Sequence, residues 1–138
     1  AVSRLVDMGV EPFLLASSLL GVLAQRLVRV LCPECKEAIS ADESACALLG
    51  LPIEQAPTIY RAAGCPACNQ QGYRGRTGIY ELVVFDDVMR TLVHNGAAEQ
   101  ELIRHARRLG PGIRDDGRRK VLEGVTTLEE VLRVTREE

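Results

Sequence analysis

Apolar positions near the start of the chain predict two short helices and then a segment of ambiguous periodicity. We expect one helix over Val2 to Met8 and another over Pro12 to Leu19, with the proline at its first position. Between Val22 and Leu31 the leucines recur at helical spacing, whereas Val28 and Val30 alternate as in a buried strand. The pattern alone leaves helix and strand almost equally favoured in this segment.

The middle of the chain contains two clearer strand patterns and one short helical pattern. Thr77 to Phe85 is rich in β-branched and aromatic residues, which predicts a strand, and Thr58 to Arg61 predicts a shorter one. Asp42 to Leu49 predicts a short helix. It contains Cys46, which we interpret as a small buried apolar residue.

Beyond Phe85 the hydrophobic pattern is helical, and cap residues divide it into four helices. The predicted helices are Asp86 or Asp87 to Asn95, Ala98 to Leu109, Ile113 to Glu123, and Thr126 to Val134. Thr126 and Glu129 have the spacing of a capping box that opens the last helix.

The same periodicity divides the side chains of these helices into two groups. Those predicted to face the core are Leu92, Leu102, Ile103, Val121, Leu122, Leu128, Val131 and Leu132. The basic group is predicted to be a solvated face, with a partner surface as the alternative: Arg107, Arg108, Arg114, Arg118, Arg119 and Lys120.

Two Cys-Pro-x-Cys units, which we call knuckles, carry the candidate chemistry of the chain. Cys32 and Cys35 form the first, Cys65 and Cys68 form the second, and 29 residues lie between them. Each spacing lets a tight turn point two sulfurs at one centre, so the four thiolates predict a closed structural zinc site. A structural zinc contributes roughly 10–16 kcal/mol, against roughly 3 kcal/mol for closing the intervening loop.

The alternative interpretation of these cysteines is a pair of disulfides. Nothing in the sequence indicates an oxidising compartment, so we expect a reduced metal site. Cys46, the fifth cysteine, is predicted not to be a ligand.

Charge and composition limit the possible functions. There are 17 Lys and Arg against 19 Asp and Glu, and few aromatic residues, which argues against a nucleic-acid partner. The longest charge-free apolar run, within Phe13 to Leu31, is about a dozen residues and too short to span a bilayer. We therefore expect a soluble chain. Because it begins with Ala1 inside a predicted helix, we also expect a fragment of something longer.

Several stretches of the chain resemble the type II/IV secretion and pilus-assembly ATPase superfamily. One is Gly-Tyr-Arg-Gly-Arg-Thr-Gly-Ile-Tyr-Glu over Gly72 to Glu81; the others are Arg4 to Leu14, Ser17 to Arg29, Asp115 to Gly117 and Lys120 to Val131. The nearest branch is the type II secretion ATPases of Gram-negative bacteria. Pilus-assembly ATPases share the tetracysteine insertion, so that branch is the alternative.

The resemblance implies an α/β fold, the C-terminal part of a RecA-like ATPase domain with an inserted zinc module. Val22 to Leu31 should be a strand that pairs antiparallel with Thr77 to Phe85. The implied segments are 1–31, the end of the ATPase core; 32–72, the tetracysteine zinc module; and 73–138, the returning strand with a C-terminal helical subdomain.

The resemblance also implies a cytoplasmic homo-hexameric ATPase, peripheral at the inner membrane of a Gram-negative bacterium. Such a parent would bind ATP and Mg²⁺, dock on inner-membrane platform proteins, and power protein secretion across the outer membrane. This chain has no Gly-x-x-x-x-Gly-Lys-Ser/Thr phosphate loop, so we expect no ATP hydrolysis by it alone. His94 and His105 are expected on helix surfaces rather than as catalytic bases.

Two arginines complete the set of candidate site residues. Arg74 and Arg76 are predicted on a glycine-rich turn between the second cysteine pair and the following strand. Guanidinium groups suit two-point contact with phosphate or carboxylate. The family motif implies that Arg76 senses bound nucleotide or holds a subunit contact, with Arg74 supporting it. The simpler alternative is a surface or carboxylate-paired arginine.

Two other classes of protein have similar cysteine spacing. Rubredoxin, an iron electron carrier, also has two such knuckles, but it is aromatic-rich and has glycine where Lys36 and Asn69 follow the knuckles here. A zinc-ribbon nucleic-acid binder could use Arg74, Arg76 and the basic helices. The charge balance argues against it.

Overall fold

Two long paired strands organise the computed structural model, which describes residues 2–135. They are β1 (Gly21–Leu31) and β4 (Tyr73–Val84). The amide of Phe85 donates to the carbonyl of Leu20 at 2.9 Å, so the end of β4 lies beside the start of β1 and the pair is antiparallel. This confirms a strand over residues 22–31 and its predicted partner. β4 begins four residues before the predicted Thr77.

The second sheet is a short ribbon within the intervening segment. β2 (Glu37–Ser40) pairs antiparallel with β3 (Thr58–Arg61), with Ile39 opposite Ile59. β3 was predicted, but β2 was not. All four of its residues are exposed, so it has no buried face to leave a pattern in the sequence.

Helices make up most of the remaining described chain. Their bounds are α1 Val2–Asp7, α2 Pro12–Ser18, α3 Glu43–Leu49, α4 Asp87–His94, α5 Glu99–Leu109, α6 Ile113–Leu122 and α7 Leu128–Val134. Single 3-10 turns occupy Ile53–Gln55 and Pro66–Cys68. None of the helices within residues 2–135 is long and apolar enough to cross a membrane.

The chain divides into two compact units. The first contains the chain up to Ala24 together with Glu81–Gly112, and the second contains Gln25–Tyr80 together with the chain from Ile113 onward. The three segments implied by the resemblance, 1–31, 32–72 and 73–138, stay a prediction.

The core of the first unit forms where α2, α4 and α5 meet the end of β4. Its buried residues are Leu15, Ala16, Phe85, Met89, Val93, Leu102 and Ala106. Asp86 caps α4 by accepting from the amide of Met89 at 2.7 Å. The same carboxylate accepts from His105 Nε2 at 2.9 Å, and these contacts, that of Met89 foremost, lower its pKa. His105 is therefore half-buried and engaged, contrary to its predicted surface position, whereas His94 is exposed as predicted.

The core of the second unit lies between α3, β3, α6 and α7. Its buried residues are Ala41, Cys46, Leu49, Ile59, Val121, Leu128 and Val131. Cys46 is 2% exposed, which confirms it as a small buried apolar residue.

Two of the residues predicted to be inward are in fact on the surface. Ile103 and Leu122 are each 42% exposed. In α5 the buried positions are Leu102 and Ala106, four residues apart, and Ile103 is turned one step away from that stripe. Leu122 ends α6, just past the buried Val121.

Within residues 2–135, three of the six residues in the basic group of α5 and α6 form ion pairs. Arg107 pairs with Glu81 at 2.8 Å, and Arg118 pairs with Asp115 at 2.8 Å. Arg119 similarly pairs with Asp116 at 2.6 Å. The predicted cationic face is therefore a mixed-charge surface.

The N-cap of the last helix lies one residue later than predicted, and the predicted cap residue, Thr126, has a different partner. Thr127 is the N-cap and accepts from the amide of Glu130 at 3.2 Å, while Thr126 donates to the carbonyl of Arg29 at 2.7 Å. The Glu130 carboxylate is 2% exposed. It accepts from the amide and Nε of Arg29 at 3.0 and 2.7 Å, and from Nε of Arg133 at 2.6 Å.

The environment of Glu130 sets its ionisation. Burial alone would raise the pKa of this carboxyl group, but the hydrogen bonds from Arg133 and Arg29 outweigh burial and lower it to about 2. A buried carboxylate in this setting stabilises the fold only while its partners are present.

We predict that Glu130→Gln lowers the free energy of unfolding by roughly 3 kcal/mol at neutral pH, because it removes the charge of a buried carboxylate that binds two arginines. A folded-state pKa below the unfolded value of 4.5 contributes stability above pH 4.5 and loses it as the pH falls toward 2. Urea denaturation should therefore show the two proteins converging across that window. The exposed neighbour provides the control, since Glu129→Gln should change stability by less than about 0.5 kcal/mol. A pH-independent difference would contradict the assignment.

Candidate metal centre

The pairing of β1 with β4 brings the two cysteine pairs together. Cys32 directly follows β1, and its amide donates to the carbonyl of Gly72, just before β4, at 3.0 Å. The segment between Cys32 and Gly72 contains both knuckles. The hydrogen bonds between β1 and β4 thus bring together cysteine ligands that are far apart in the sequence.

The first knuckle is a tight turn closed on a single carbonyl. The carbonyl of Cys32 accepts from the amide of Cys35 at 3.4 Å and from that of Lys36 at 3.1 Å. The turn directs both sulfurs to the same side, as the two-residue spacing predicts.

The second knuckle depends on backbone conformations that few residues adopt. Asn69 and Gln70 are left-handed, with φ of 55° and 64°. Gly72 has φ of +81°, and a Cβ there would lie 2.5 Å from Cβ of Ala62. A side chain at Gly72 would therefore be both strained and sterically blocked.

The four sulfurs form a compact group. Sγ of Cys65 lies 3.7 Å from Sγ of Cys32 and 3.7 Å from Sγ of Cys68, while Sγ of Cys35 lies 3.8 Å from Sγ of Cys68. All four ligand atoms lie within 4.8 Å of one another. A tetrahedron with zinc–sulfur bonds of about 2.3 Å has edges of about 3.8 Å. These separations fit a metal ion and are far longer than a disulfide bond of about 2.05 Å.

Backbone amides point at the sulfurs and favour their anionic form. Cys68 Sγ accepts from the amides of Cys65 at 3.3 Å and Gly72 at 3.1 Å, and Cys35 Sγ accepts from the amide of Gly64 at 3.3 Å. Amide donors of this kind stabilise thiolates and orient metal ligands. The sequence did not predict these donors, although the glycines beside the second knuckle were the available signal.

The thiol pKa values show what the cluster requires. Burial raises the pKa of Cys35 to about 11 and also raises that of Cys65. Burial acts on Cys68 too, but the amides of Cys65 and Gly72 overcome it and lower its pKa to about 6. Of these three thiols the polypeptide by itself favours the thiolate only at Cys68, and a bound cation would hold the other two as thiolates.

Chemically, these residues could hold a metal ion with all its positions filled by protein. Four sulfur ligands leave no site for water or substrate, which is the arrangement of a structural rather than a catalytic metal. Cys46 is not in this group, because its Sγ contacts the carbonyl of Ala41 at 3.7 Å inside the unit's core.

Sequence comparison places this architecture among known proteins. The family model described as Type II/IV secretion system protein matches residues 1–133. The chain belongs to this secretion family. A Type II secretion system protein E of Pseudomonas aeruginosa is 74% identical over 138 residues, covering all of this chain and 28% of that protein.

More distant relatives include both branches of the secretion family. A Type II secretion system ATPase E of Vibrio cholerae is 57% identical over 137 residues, covering 99% of this chain and 27% of that protein. A Type IV pilus assembly ATPase PilB of Myxococcus xanthus is 50% identical over 135 residues, covering 95% of this chain and 24% of that protein. The chain thus spans about a quarter of the length of these relatives.

The structure of this secretion-family chain changes the predicted setting of the two arginines. Arg74 and Arg76 lie on β4 itself rather than on a turn before it. Both side chains are exposed, and neither forms a hydrogen bond or ion pair with any other residue of the described range 2–135. Among these residues Arg76 therefore has no carboxylate partner.

We predict one metal ion per chain, lost when any of the four clustered cysteines is changed to serine. The reason is that a structural site of this type requires all four thiolates, and metal binding is coupled to local folding. Metal content measured by plasma mass spectrometry, together with the circular dichroism spectrum, checks this. Cys46→Ala is the matched control and should retain the full metal content. If Cys46→Ala lost the metal while the four serine variants kept it, the ligand assignment would be contradicted.

Proposed function

We propose that this chain is the C-terminal, zinc-bearing part of a cytoplasmic ATPase that powers type II protein secretion across the outer membrane. The observation that carries the proposal is the 74% identity, over the whole chain, to a Type II secretion system protein E. The four-sulfur cluster supplies the structural centre of this part.

Zinc is the metal we propose for Cys32, Cys35, Cys65 and Cys68. Zinc favours tetrahedral thiolate coordination and has no redox chemistry, which suits a closed structural site. Iron held as in rubredoxin is the competing metal. An iron-loaded chain would be coloured, whereas the zinc form is colourless.

We further propose that the β1–β4 ribbon belongs to a larger RecA-like ATPase core. In the first unit, Val22 and Val83 pack into the core, while Leu23, Leu82 and Val84 point the other way and are 61–65% exposed. A cluster of large apolar side chains on one face of a sheet normally lies against further protein. The remaining three quarters of the parent, judged from its relatives, would provide that cover.

In this proposal the parent protein hydrolyses ATP with Mg²⁺, and the present segment does not. Phosphoryl transfer needs a phosphate cradle and positioned magnesium, and no phosphate-loop motif occurs in this sequence. The parent would work as a homo-hexamer on the inner-membrane platform of a Gram-negative secretion system. No nucleic acid takes part.

The alternative function is type IV pilus assembly. The 50% identity to a pilus assembly ATPase of Myxococcus xanthus favours it. The lower identity makes it the second candidate.

An exchange of segments should separate the two branches. This chain would replace the matching segment in the Pseudomonas protein E and, separately, in the Myxococcus pilus ATPase. We expect exoprotein secretion to be retained in the first hybrid and pilus assembly to be reduced in the second, since fewer segment contacts would match. Within the first hybrid, Cys32→Ser should abolish secretion and Cys46→Ala should not. Rescue of pilus assembly without rescue of secretion would reverse our choice of branch.

For Arg76, we propose nucleotide sensing or a subunit contact in the hexamer, with Arg74 supporting it. Its guanidinium is exposed on β4 and has no ion-pair partner among residues 2–135, which favours a contact with another molecule. We predict that Arg76→Ala and Arg76→Lys each reduce ATP hydrolysis of the assembled parent about tenfold, because a lysine cannot reproduce a two-point contact. Steady-state hydrolysis and light scattering of the hexamer check this. Arg104→Ala, an exposed arginine on α5, is the control. Wild-type hydrolysis and assembly in both Arg76 variants would assign this residue to an ordinary surface role.

A further inference from the structure

One lysine joins the first cysteine knuckle to the connection between α6 and α7. Lys36 directly follows Cys35, and its Nζ donates to the carbonyl of Gly124 at 2.9 Å. The same ammonium group lies 4.6 Å from the centre of the Tyr60 ring, within cation–π distance. Tyr60 belongs to β3 and so to the same segment that carries the knuckles.

The connection is seated closely against these two side chains. Gly124 has φ of +78°, and a Cβ there would lie 2.9 Å from the Tyr60 ring and 3.1 Å from Lys36 Nζ. Because Gly124 has no side chain, its backbone can lie close to Tyr60 and Lys36. We refer to residues 124–127 as the α6–α7 connection.

The α6–α7 connection also bonds to the strand that leads into the first knuckle. The amide of Leu31, one residue before Cys32, donates to the carbonyl of Val125 at 2.8 Å. The hydroxyl of Thr126 donates to the carbonyl of Arg29 at 2.7 Å. Any displacement of the end of β1 would therefore be transmitted to residues 125 and 126.

The chain leaving the second knuckle contacts the next residue of the connection. Gly72 donates its amide to Cys68 Sγ at 3.1 Å, and the neighbouring Tyr73 places its hydroxyl 2.8 Å from Oγ1 of Thr127. Thr127 is the N-cap of α7. The entry to one knuckle and the exit from the other thus hold the start of α7.

We propose that the cysteine centre and the α6–α7 connection form one coupled element, in which metal binding positions the start of α7 and Lys36 is the positioning residue. This inference rests on the metal site proposed above. By linkage, a contact that stabilises the metal-loaded arrangement over the metal-free one must also raise the affinity for the metal. Affinity differences between closely related complexes appear mainly in the dissociation rate. The cluster then governs the placement of a helix lying more than fifty residues beyond its last ligand.

Lys36→Met in the full chain tests the coupling, because it removes the ammonium group and keeps the aliphatic stem. We expect it to retain one zinc per chain but to transfer zinc to a chromophoric chelator roughly tenfold faster, the effect of losing one charged hydrogen bond. Hydrogen–deuterium exchange should rise at residues 124–131 and stay unchanged in α4 and α5. Lys36→Arg should restore most of the wild-type rate. Lys120→Met, the same change at a half-buried lysine of α6, should leave both readouts unchanged.

A change in the α6–α7 connection tests whether the connection, in turn, affects metal binding. Thr126→Val removes the hydroxyl bond to Arg29, and we expect it also to accelerate zinc transfer although no cysteine is touched. Zinc-loaded Lys36→Met and Thr126→Val proteins with wild-type transfer rates would contradict the coupling while leaving the metal site intact. A wild-type chain that binds no zinc would contradict both proposals.

Discussion

Four clustered sulfur atoms, 3.7–3.8 Å apart along three edges of the group, impose the main electrostatic constraint on this chain. Two thiolates at such a distance repel each other by about 4 kcal/mol at an effective dielectric constant of about 20. Burial raises the pKa of Cys35 to about 11, whereas for Cys68 the amides of Cys65 and Gly72 overcome burial and lower the pKa to about 6. A divalent cation bound at the centre would offset the repulsion among four thiolates.

The second unit, which contains these sulfur atoms, has only a modest apolar core. Its core is made of small and medium side chains, with Cys46 and Ala41 among the buried residues. Polar contacts supplement this core: the Glu130 carboxylate accepts hydrogen bonds from Arg29 and Arg133, and Lys36 donates to the carbonyl of Gly124. With a metal ion bound at the four cysteines as proposed, the ion and these long-range polar contacts would supply order that a larger domain obtains from its core.

Local chemistry was predictable from the sequence, whereas contacts between distant residues were not. The knuckles, a helix cap at Asp86 or Asp87 and the Thr58–Arg61 strand follow from short spacings and propensities. β1 required the family resemblance, because its exposed Leu23 and Leu27 imitate a helical stripe. The N-cap was placed one residue early, since nothing near Thr126 reveals that its hydroxyl donates to the carbonyl of Arg29, 97 residues away. For the same reason, the contact of Lys36 with the α6–α7 connection has no signature in the sequence.

The central claim is that Cys32, Cys35, Cys65 and Cys68 together hold one zinc ion. X-ray absorption spectroscopy at the zinc edge tests it most directly, because it reports the identity, number and distance of the ligand atoms. The account predicts a single shell of four sulfurs at about 2.3 Å, with no nitrogen or oxygen ligand. A shell of mixed sulfur and light atoms, or fewer than four sulfurs, would contradict it.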